Sequence, residues 1–221
     1  MKNIVIAIDG PSASGKSTVS KAVAKVLNYI YVDSGSLYRA VAWFALKKNL
    51  SFNNPEFIIE ELNNSNLLFF NKNNQIFFEI EDYQPVKELR SKIVRENVAE
   101  IASKSVIRKF VVSKLKEFNS FGNLVIEGRD IGSIVYPDAE YKFFLNADLE
   151  ERANRRYQEL IDAGESENSK EVLESIRSRD KIDTSREEDP LIVAPGSKVI
   201  DSTNMSLSEV INLIISEISN D

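Results

Sequence analysis

The chain has 221 residues, of which 43% are hydrophobic and 28% charged, an ordinary balance for a globular protein. It contains no cysteine and no histidine, which excludes disulfides, thiolate metal sites, histidine-ligated zinc and histidine general bases. The formal net charge of −6 argues against a protein that coats nucleic acid. No signal-peptide pattern and no apolar run of about eighteen residues are present, so we expect a cytoplasmic protein without a membrane partner.

The N-terminal segment predicts a strand, a glycine-rich loop and a helix, in that order. Ile4–Ile8 is an apolar run of the kind that a buried parallel strand requires, and apolar residues recur at helical spacing over Lys16–Leu27. The intervening loop matches G-x-x-x-x-G-K-[ST], which predicts a nucleoside triphosphate site. Its residues are Gly10, Pro11, Ser12, Ala13, Ser14, Gly15, Lys16, Ser17 and Thr18. Lys16 can reach the β- and γ-phosphates of ATP, and Ser17 can ligate Mg²⁺.

The second predicted strand, Tyr29–Val32, leads into a candidate anion site. The sequence DSGSLYR (33–39) follows it, at the carboxyl end of a strand, where ligands bind in open α/β sheets. A helix is predicted over Ser36–Lys47. Asp33 or Ser34 can cap this helix, while the helix N-terminus together with Arg39 can bind a phosphate.

The segment 49–74 is rich in Asn and interrupts the alternation of strands and helices. Two apolar runs, Leu67–Phe70 and Ile76–Ile80, flank a turn and predict a small β-hairpin insert at the edge of the domain. This insert is either a surface excursion or a lobe that moves over a substrate. One long helix is then predicted over Leu89–Phe118.

The third core strand, Leu124–Ile126, ends at a charged turn, EGRDIG (127–132). Its two glycines allow close approach of the backbone. Arg129 and Asp130 either form an ion pair in a tight turn or bind ligand. Because a surface ion pair is worth only about 0–1 kcal/mol, their position at a strand tip favours ligand binding.

The fourth core strand, Lys142–Leu145, precedes a predicted helix, Leu149–Ala163, with three arginines on it. These are Arg152, Arg155 and Arg156. Arg152 and Arg156 are one turn apart and share a face. On spacing alone, a solvated face and a binding site fit these residues equally well.

The polar segment 163–195 is predicted to be an exposed loop or a lid, with a helix near Lys170–Ser178. Lids are common in phosphoryl transfer because water must be kept from the reacting phosphate. The motif RDKIDTSR (179–186) lies within this segment. A fifth strand, Lys198–Ile200, and a C-terminal helix that begins with a capping-box pattern at Ser206 complete the chain.

These elements predict an α/β fold, with a five-stranded, mostly parallel sheet flanked by helices. The motifs together resemble those of the bacterial cytidylate kinase family, P-loop kinases that make CDP from CMP and ATP. The resemblance rests on four motifs and extends from Ile4 to the final helix. They are GPSASGKST (10–18), DSGSLYR (33–39), EGRDIGSIVYPDA (127–139) and RDKIDTSREEDPL (179–191).

The resemblance implies a single P-loop kinase domain over residues 1–221. Its subregions are a core (1–57, 90–162 and 190–221), an acceptor-side insert (58–89) and a lid (163–189). ATP would be the phosphoryl donor with Mg²⁺, and CMP or dCMP the acceptor. The protein would be a monomer that binds small molecules and no nucleic acid.

The resemblance also implies roles for individual residues. Residues 10–18 would hold ATP, with Lys16 on the transferred phosphate and Arg155 on the donor side. The acceptor phosphate would be gripped by Arg39, Arg129 and Arg186, and the base would be read by Asp130 and Arg108. Asp183 would contact the ribose with Arg179 nearby, and Ser34 and Tyr38 would line the site. The implied catalytic residues are Lys16, Arg129, Asp130, Arg155, Arg179 and Arg186.

One position departs from the family pattern. Ala99 stands where members often carry a Ser that contacts the base, which puts the preference for cytosine over uracil in question. The expected reaction needs no strong general base because the acceptor is already an anion. Asp33 or Asp130 would orient metal-bound water. The alternatives are a P-loop kinase for UMP, AMP or a small metabolite such as shikimate, a GTPase-type switch protein, and a regulatory nucleotide-binding module.

Overall fold

The computed structural model describes residues 3–166 and 168–219. Its centre is a seven-stranded sheet in the order β3-β4-β2-β5-β1-β6-β7. The strands are β1 (Val5–Asp9), β2 (Ile30–Asp33), β3 (Leu67–Lys72), β4 (Gln75–Ile80), β5 (Leu124–Gly128), β6 (Tyr141–Asn146) and β7 (Lys198–Asp201). All neighbouring strands are parallel except β3 and β4.

Helices cover both faces of this sheet. They are α1 (Lys16–Leu27), α2 (Ser34–Lys47), α3 (Pro55–Asn64), α4 (Lys92–Ser103), α5 (Ser105–Glu117), α6 (Leu149–Asp162), α7 (Ser169–Ser185) and α8 (Leu207–Ser219). A short π-helical turn, Ile131–Val135, follows β5. Among the described residues, no helix combines the length and apolarity of a membrane span.

The core lies on the two faces of the central strands. Every residue of β1 and β5 is buried, as the continuous apolar runs predict for strands covered on both sides. Alternate residues face opposite ways: Val5 and Ala7 pack on the face that includes α2, α4 and α5. Ile6 and Ile8 pack on the opposite face, with α1 and α8.

The five predicted core strands and their parallel arrangement are confirmed. The strand count of five is wrong for the whole sheet, because the predicted hairpin does not stay apart. β4 pairs with β2 through Tyr31 and Gln75, in parallel, so β3 and β4 extend the sheet to seven strands. The insert is therefore joined to the core sheet along one edge.

The helices of the structure differ from the predicted ones in three places. The long helix over Leu89–Phe118 is two helices, because Lys104 has an extended backbone (φ −78°, ψ 120°) that ends α4. Helix α3 was not predicted, although Asn54 caps it through the Phe57 amide and Pro55 occupies its first turn, a recognisable start signal. Helix α7 extends to Ser185, so most of the motif at 179–186 is helical.

Candidate active site

The phosphate-binding loop joins the end of β1 to the start of α1 at Lys16, as the sequence predicts. Close packing requires glycine at its first position: a Cβ on Gly10 would lie 2.1 Å from the Leu145 carbonyl oxygen. The left-handed backbone at Ala13 (φ 58°) and Gly15 (φ 86°) turns the chain into the helix. Free amides at a loop and helix N-terminus of this kind form an anion site.

Lys16 is buried at the base of the loop, and its Nζ donates to the Pro11 carbonyl at 2.7 Å. Burial, together with the charge of Arg129, lowers the pKa of this ammonium group to about 7. The neighbouring charges of Glu127 and Asp183 act in the opposite direction. The loop lysine therefore lies close to residues of both the 127–132 turn and α7.

Glu127 is a site residue that the sequence analysis did not assign. At the end of β5, its carboxylate accepts from the Tyr31 hydroxyl at 2.6 Å and lies beside the Ser17 side chain. Its backbone carbonyl accepts from the Ser34 hydroxyl at 2.6 Å. Burial raises the pKa of Glu127, as does the nearby charge of Asp33. The only available signal was its position directly after a core strand.

Both carboxylates that we expect to orient metal-bound water, Asp33 and Asp130, have other partners in the structure. Asp33 caps α2 through the Ser36 amide at 3.0 Å, and Asp130 pairs with Arg108. Among the described residues, no cluster of three or more potential metal ligands exists. The Ser17 hydroxyl and the Glu127 carboxylate form an oxygen donor set, which suits a Mg²⁺ that keeps several waters and binds phosphates.

Three predicted arginines converge on one carboxylate of α7. Asp183, 2% exposed, accepts from Arg129 Nε at 2.8 Å and from Arg179 Nε at 3.4 Å. Arg186 Nη1 lies 4.0 Å from it. Burial raises the pKa of Asp183, but the three guanidiniums outweigh burial and hold it below its usual value. Two further nitrogens of Arg186 are buried without a partner, so the cluster retains hydrogen-bond donors that could bind an anion.

The predicted base-reading residues form a second buried cluster. The Arg108 guanidinium, 2% exposed, pairs with Asp130 and donates through Nε to Asp189 at 3.0 Å. It lies 5.9 Å from the Tyr38 ring centre. The Tyr38 hydroxyl is buried without a partner, and burial raises its pKa. Asp189 was not predicted as a site residue, because it lies far from Arg108 along the chain and contacts it only in the folded protein.

Two predicted arginines lie apart from these clusters. Arg39 donates to Asp33 at 2.6 Å and to the Ser36 hydroxyl at 2.8 Å, and its Nε is buried without a partner. Arg155 on α6 donates to the Ser202 carbonyl at 2.8 Å. Its Nη1 would lie 3.8 Å from a Cβ on Gly15, so it lies beside the phosphate-binding loop.

The other arginines of α6 behave differently. Arg156 forms an exposed pair with Glu159 at 3.0 Å, as a solvated face predicts. Arg152 is buried and donates to the Ser12 carbonyl of the phosphate-binding loop at 3.0 Å. It also pairs with Asp180 of α7.

Asp9 connects the loop to the 127–132 turn. Its carboxylate, at the end of β1, accepts from the amides of Ile131 at 2.8 Å and Gly132 at 2.7 Å. Burial raises the pKa of Asp9 to about 6, although these two hydrogen bonds lower it. The start of the loop and the turn that carries Asp130 are thus held by one buried side chain.

The fold and the site together define a P-loop kinase. The sheet is mostly parallel, the phosphate-binding loop carries its lysine, and guanidinium groups converge beside that loop. Solved structures with this fold are similar to the chain. A gluconokinase from Sinorhizobium meliloti 1021 has a TM-score of 0.50 at 14% identity, over 99% of this chain and 93% of that one. A protein from Eubacterium ventriosum ATCC 27560 has a TM-score of 0.52 at 13% identity, with 99% of each chain covered.

Sequence comparison then gives the family. The chain matches the cytidylate kinase family over residues 6–220. It is 42% identical to a cytidylate kinase of Clostridioides difficile (strain 630), over 99% of this chain and all of that one. A cytidylate kinase of Fusobacterium nucleatum subsp. nucleatum is 38% identical, over 99% of this chain and 98% of its own. The chain belongs to the cytidylate kinase family and is a nucleoside monophosphate kinase.

Proposed function

We propose that the protein transfers the γ-phosphoryl group of ATP to the 5′-phosphate of CMP or dCMP. One observation carries this proposal: helix α7 contacts both sides, because Asp180 accepts from the Ser12 amide of the loop at 3.1 Å and Asp183 accepts from Arg129 at 2.8 Å. The donor loop and the arginine cluster therefore meet at one place. That juxtaposition is what transfer between two phosphates requires, since the reacting groups must be held in line and close together.

On the donor side, residues 10–18 would hold the triphosphate, with Lys16 on the transferred group and Arg155 beside Gly15. Lys16 would leave the Pro11 carbonyl for the phosphate. Ser17, with Glu127 behind it, would hold Mg²⁺ that ATP brings. The ion supplies positive charge that offsets the charge of the phosphate oxygens.

On the acceptor side, Arg129 and Arg186 would bind the phosphate, with Arg39 joining when ligand draws it from Asp33. Guanidinium groups suit this task because they can bind phosphate oxygens in a bidentate manner. Arg108 and Asp130 would read the cytosine edge, since a carboxylate can accept from an exocyclic amino group. Asp183 would contact the ribose, and Ser34 and Tyr38 would line the site.

The chemistry needs positioning and charge neutralisation more than proton transfer. The acceptor phosphate is the nucleophile, and the converging guanidiniums, Arg179 included, would neutralise the charge that the transition state spreads over the phosphoryl oxygens. We further propose that the insert (58–89) and the lid (163–189) close over the two nucleotides, and that the protein acts as a cytoplasmic monomer.

A second candidate acceptor is UMP. Ala99 lies on α4, one helical turn before Ala102, whose carbonyl lies 3.5 Å from Arg108 Nη1. An alanine here supplies no hydroxyl to the base. ADP formation from Mg·ATP should be measured with CMP, dCMP, UMP, AMP, GMP and shikimate. The highest turnover is expected with CMP or dCMP; comparable turnover with UMP would mean relaxed base selection, and no turnover would refute the proposal.

A further inference from the structure

We propose that Asp180, acting with Arg152, is a positioning residue that holds the lid helix α7 against the phosphate-binding loop and keeps that loop in its ATP-binding shape. The inference rests on the proposed function in taking this loop as the ATP site. Neither residue is among those to which the family resemblance gives a role.

The contacts all meet at one residue of the loop. The Ser12 amide donates to Asp180 Oδ1 at 3.1 Å, and the Ser12 carbonyl accepts from Arg152 Nη1 at 3.0 Å. The carboxylate and the guanidinium also pair with each other. Both backbone groups of Ser12 are therefore held by a single ion pair.

The ion pair is anchored in the core. Arg152 donates through Nε to the Ala147 carbonyl at 2.8 Å, just after β6. Its side chain is 8% exposed, and that of Asp180 is 19% exposed. Charge-assisted hydrogen bonds in such surroundings are among the stronger ones in proteins. Removing one partner leaves the other charge buried and uncompensated.

The position of Asp180 on α7 explains why this contact matters for the whole site. Asp180 and Asp183 are three residues apart, so they lie on the same side of the helix. Asp180 contacts the donor loop, while Asp183 contacts Arg129 of the 127–132 turn. One face of α7 thus spans the donor and acceptor sides, and the Asp180 contact fixes where that face lies relative to the loop.

The first test is kinetic. Asp180→Asn retains an oxygen for the Ser12 amide but loses the charge that faces Arg152. We expect the KM for ATP to rise about 10-fold, because lost binding common to ground and transition states appears in KM. The KM for CMP at saturating ATP should change less than about 2-fold. Arg152→Lys should give the same pattern, and the double variant should add little to either change, because both break one interaction.

The matched control is Glu174→Gln. It makes the same charge change on the same helix, at a side chain that is 64% exposed and pairs with Arg177. Its kinetics should equal those of the unaltered protein. Thermal melting and circular dichroism of each variant separate loss of fold from loss of positioning.

The second test does not depend on activity. Because the chain has no cysteine, a fluorophore pair can be attached at Lys25→Cys on α1 and Lys170→Cys on α7, both exposed positions. In the nucleotide-free protein, Asp180→Asn should lengthen or broaden the distance between the dyes, and Glu174→Gln should not. A folded Asp180→Asn protein with unchanged dye distance and unchanged KM for ATP would overturn the inference. Failure of the proposed function would instead appear as absence of CMP phosphorylation by the unaltered protein.

Discussion

Glu127 is the residue whose position most changes what we expect of magnesium binding. It lies against Ser17, the proposed magnesium ligand, and is fixed by Tyr31. Residues that support a metal ligand typically change metal affinity about 10- to 100-fold when they are substituted. We expect Glu127→Gln to raise the Mg²⁺ concentration that gives half-maximal activity by about 10- to 100-fold.

The measurement is a Mg²⁺ titration of ADP formation at fixed ATP and CMP. Tyr31→Phe serves as the control, because it removes one hydrogen bond to Glu127 and leaves its charge; we expect a smaller shift. An unchanged magnesium requirement in Glu127→Gln would assign the metal contact to another group.

The pair of Arg108 and Asp130 should matter for stability as well as for base reading. Both side chains are almost fully buried, at 2% and 5% exposed. Removing one member of such a pair costs about 3–5 kcal/mol. We expect Asp130→Asn to lower the free energy of unfolding by an amount near the lower end of this range, because Asp189 still faces Arg108. We also expect it to raise the KM for CMP.

Urea denaturation monitored by circular dichroism checks this expectation. Glu159→Gln, which removes a partner of the exposed Arg156, should leave the midpoint almost unchanged. If the two variants have equal midpoints, the buried pair contributes no more to stability than an exposed one.

Some residues of the site could be predicted from the sequence and others could not. Lys16 and the arginines of the acceptor motifs could be predicted as site residues because each lies in a short motif with a known chemical use. Asp180 and Asp189 were not, since their partners Ser12 and Arg108 are far away along the chain. No local pattern marks a residue whose importance comes only from what the fold places beside it.

Among the elements, α7 shows how secondary structure organises the site. A helix through Ser185 brings Arg179 and Asp183 within 3.4 Å at a spacing of four residues. The predicted lid had a shorter helix, because the polar sequence after residue 178 gives no apolar periodicity to extend it. Burial of Asp183 among arginines, a tertiary effect, supports the remaining turns.

Helix α4 carries the prediction about base selection. Ala99→Ser would add a hydroxyl one turn before the residue whose carbonyl contacts Arg108. A hydrogen bond made to the correct base favours it by about 0.5–1.5 kcal/mol. We therefore expect the ratio of kcat/KM for CMP to that for UMP to rise several-fold.

Parallel assays of both acceptors give this ratio. Ala102→Ser, on the same helix, tests whether any added hydroxyl has the same effect. A ratio that Ala99→Ser leaves unchanged would place Ala99 outside the base site.

At the scale of the whole molecule, the pH dependence of stability should contain a contribution from Asp9. The pKa of its carboxyl is raised from 3.8 to about 6 in the folded protein. Protonation therefore favours the folded state: the stabilisation is fully present below about pH 4 and is lost as pH rises to 6. Lys16 and Asp130 are the charged neighbours that act on it.

Urea denaturation of the unaltered protein and of Asp9→Asn between pH 4 and 7 tests this. The free energy of unfolding of the unaltered protein, relative to that of the variant, should decrease by up to about 3 kcal/mol across this range. Asp183, whose pKa is lowered, contributes with the opposite sign in both proteins and cancels. A difference independent of pH would contradict the raised pKa.

The parallel core was predictable because its strands are buried on both faces and so appear as continuous apolar runs. The addition of the hairpin to the sheet was not predictable, since a single residue pair, Tyr31 and Gln75, joins β4 to β2. Two apolar runs around a turn predict a hairpin, but nothing in them specifies which strand of the sheet the hairpin pairs with.

The position of β1 between β5 and β6 has a consequence for how the protein is made. Val5 lies opposite Leu124, and Ile6 lies opposite Tyr141, so β1 can pair only after strands from much later in the chain have been synthesised. Contacts of such high sequence separation slow folding and leave apolar segments exposed in the meantime. The phosphate-binding loop that follows β1 therefore acquires its final shape only after β5 and β6 have been synthesised.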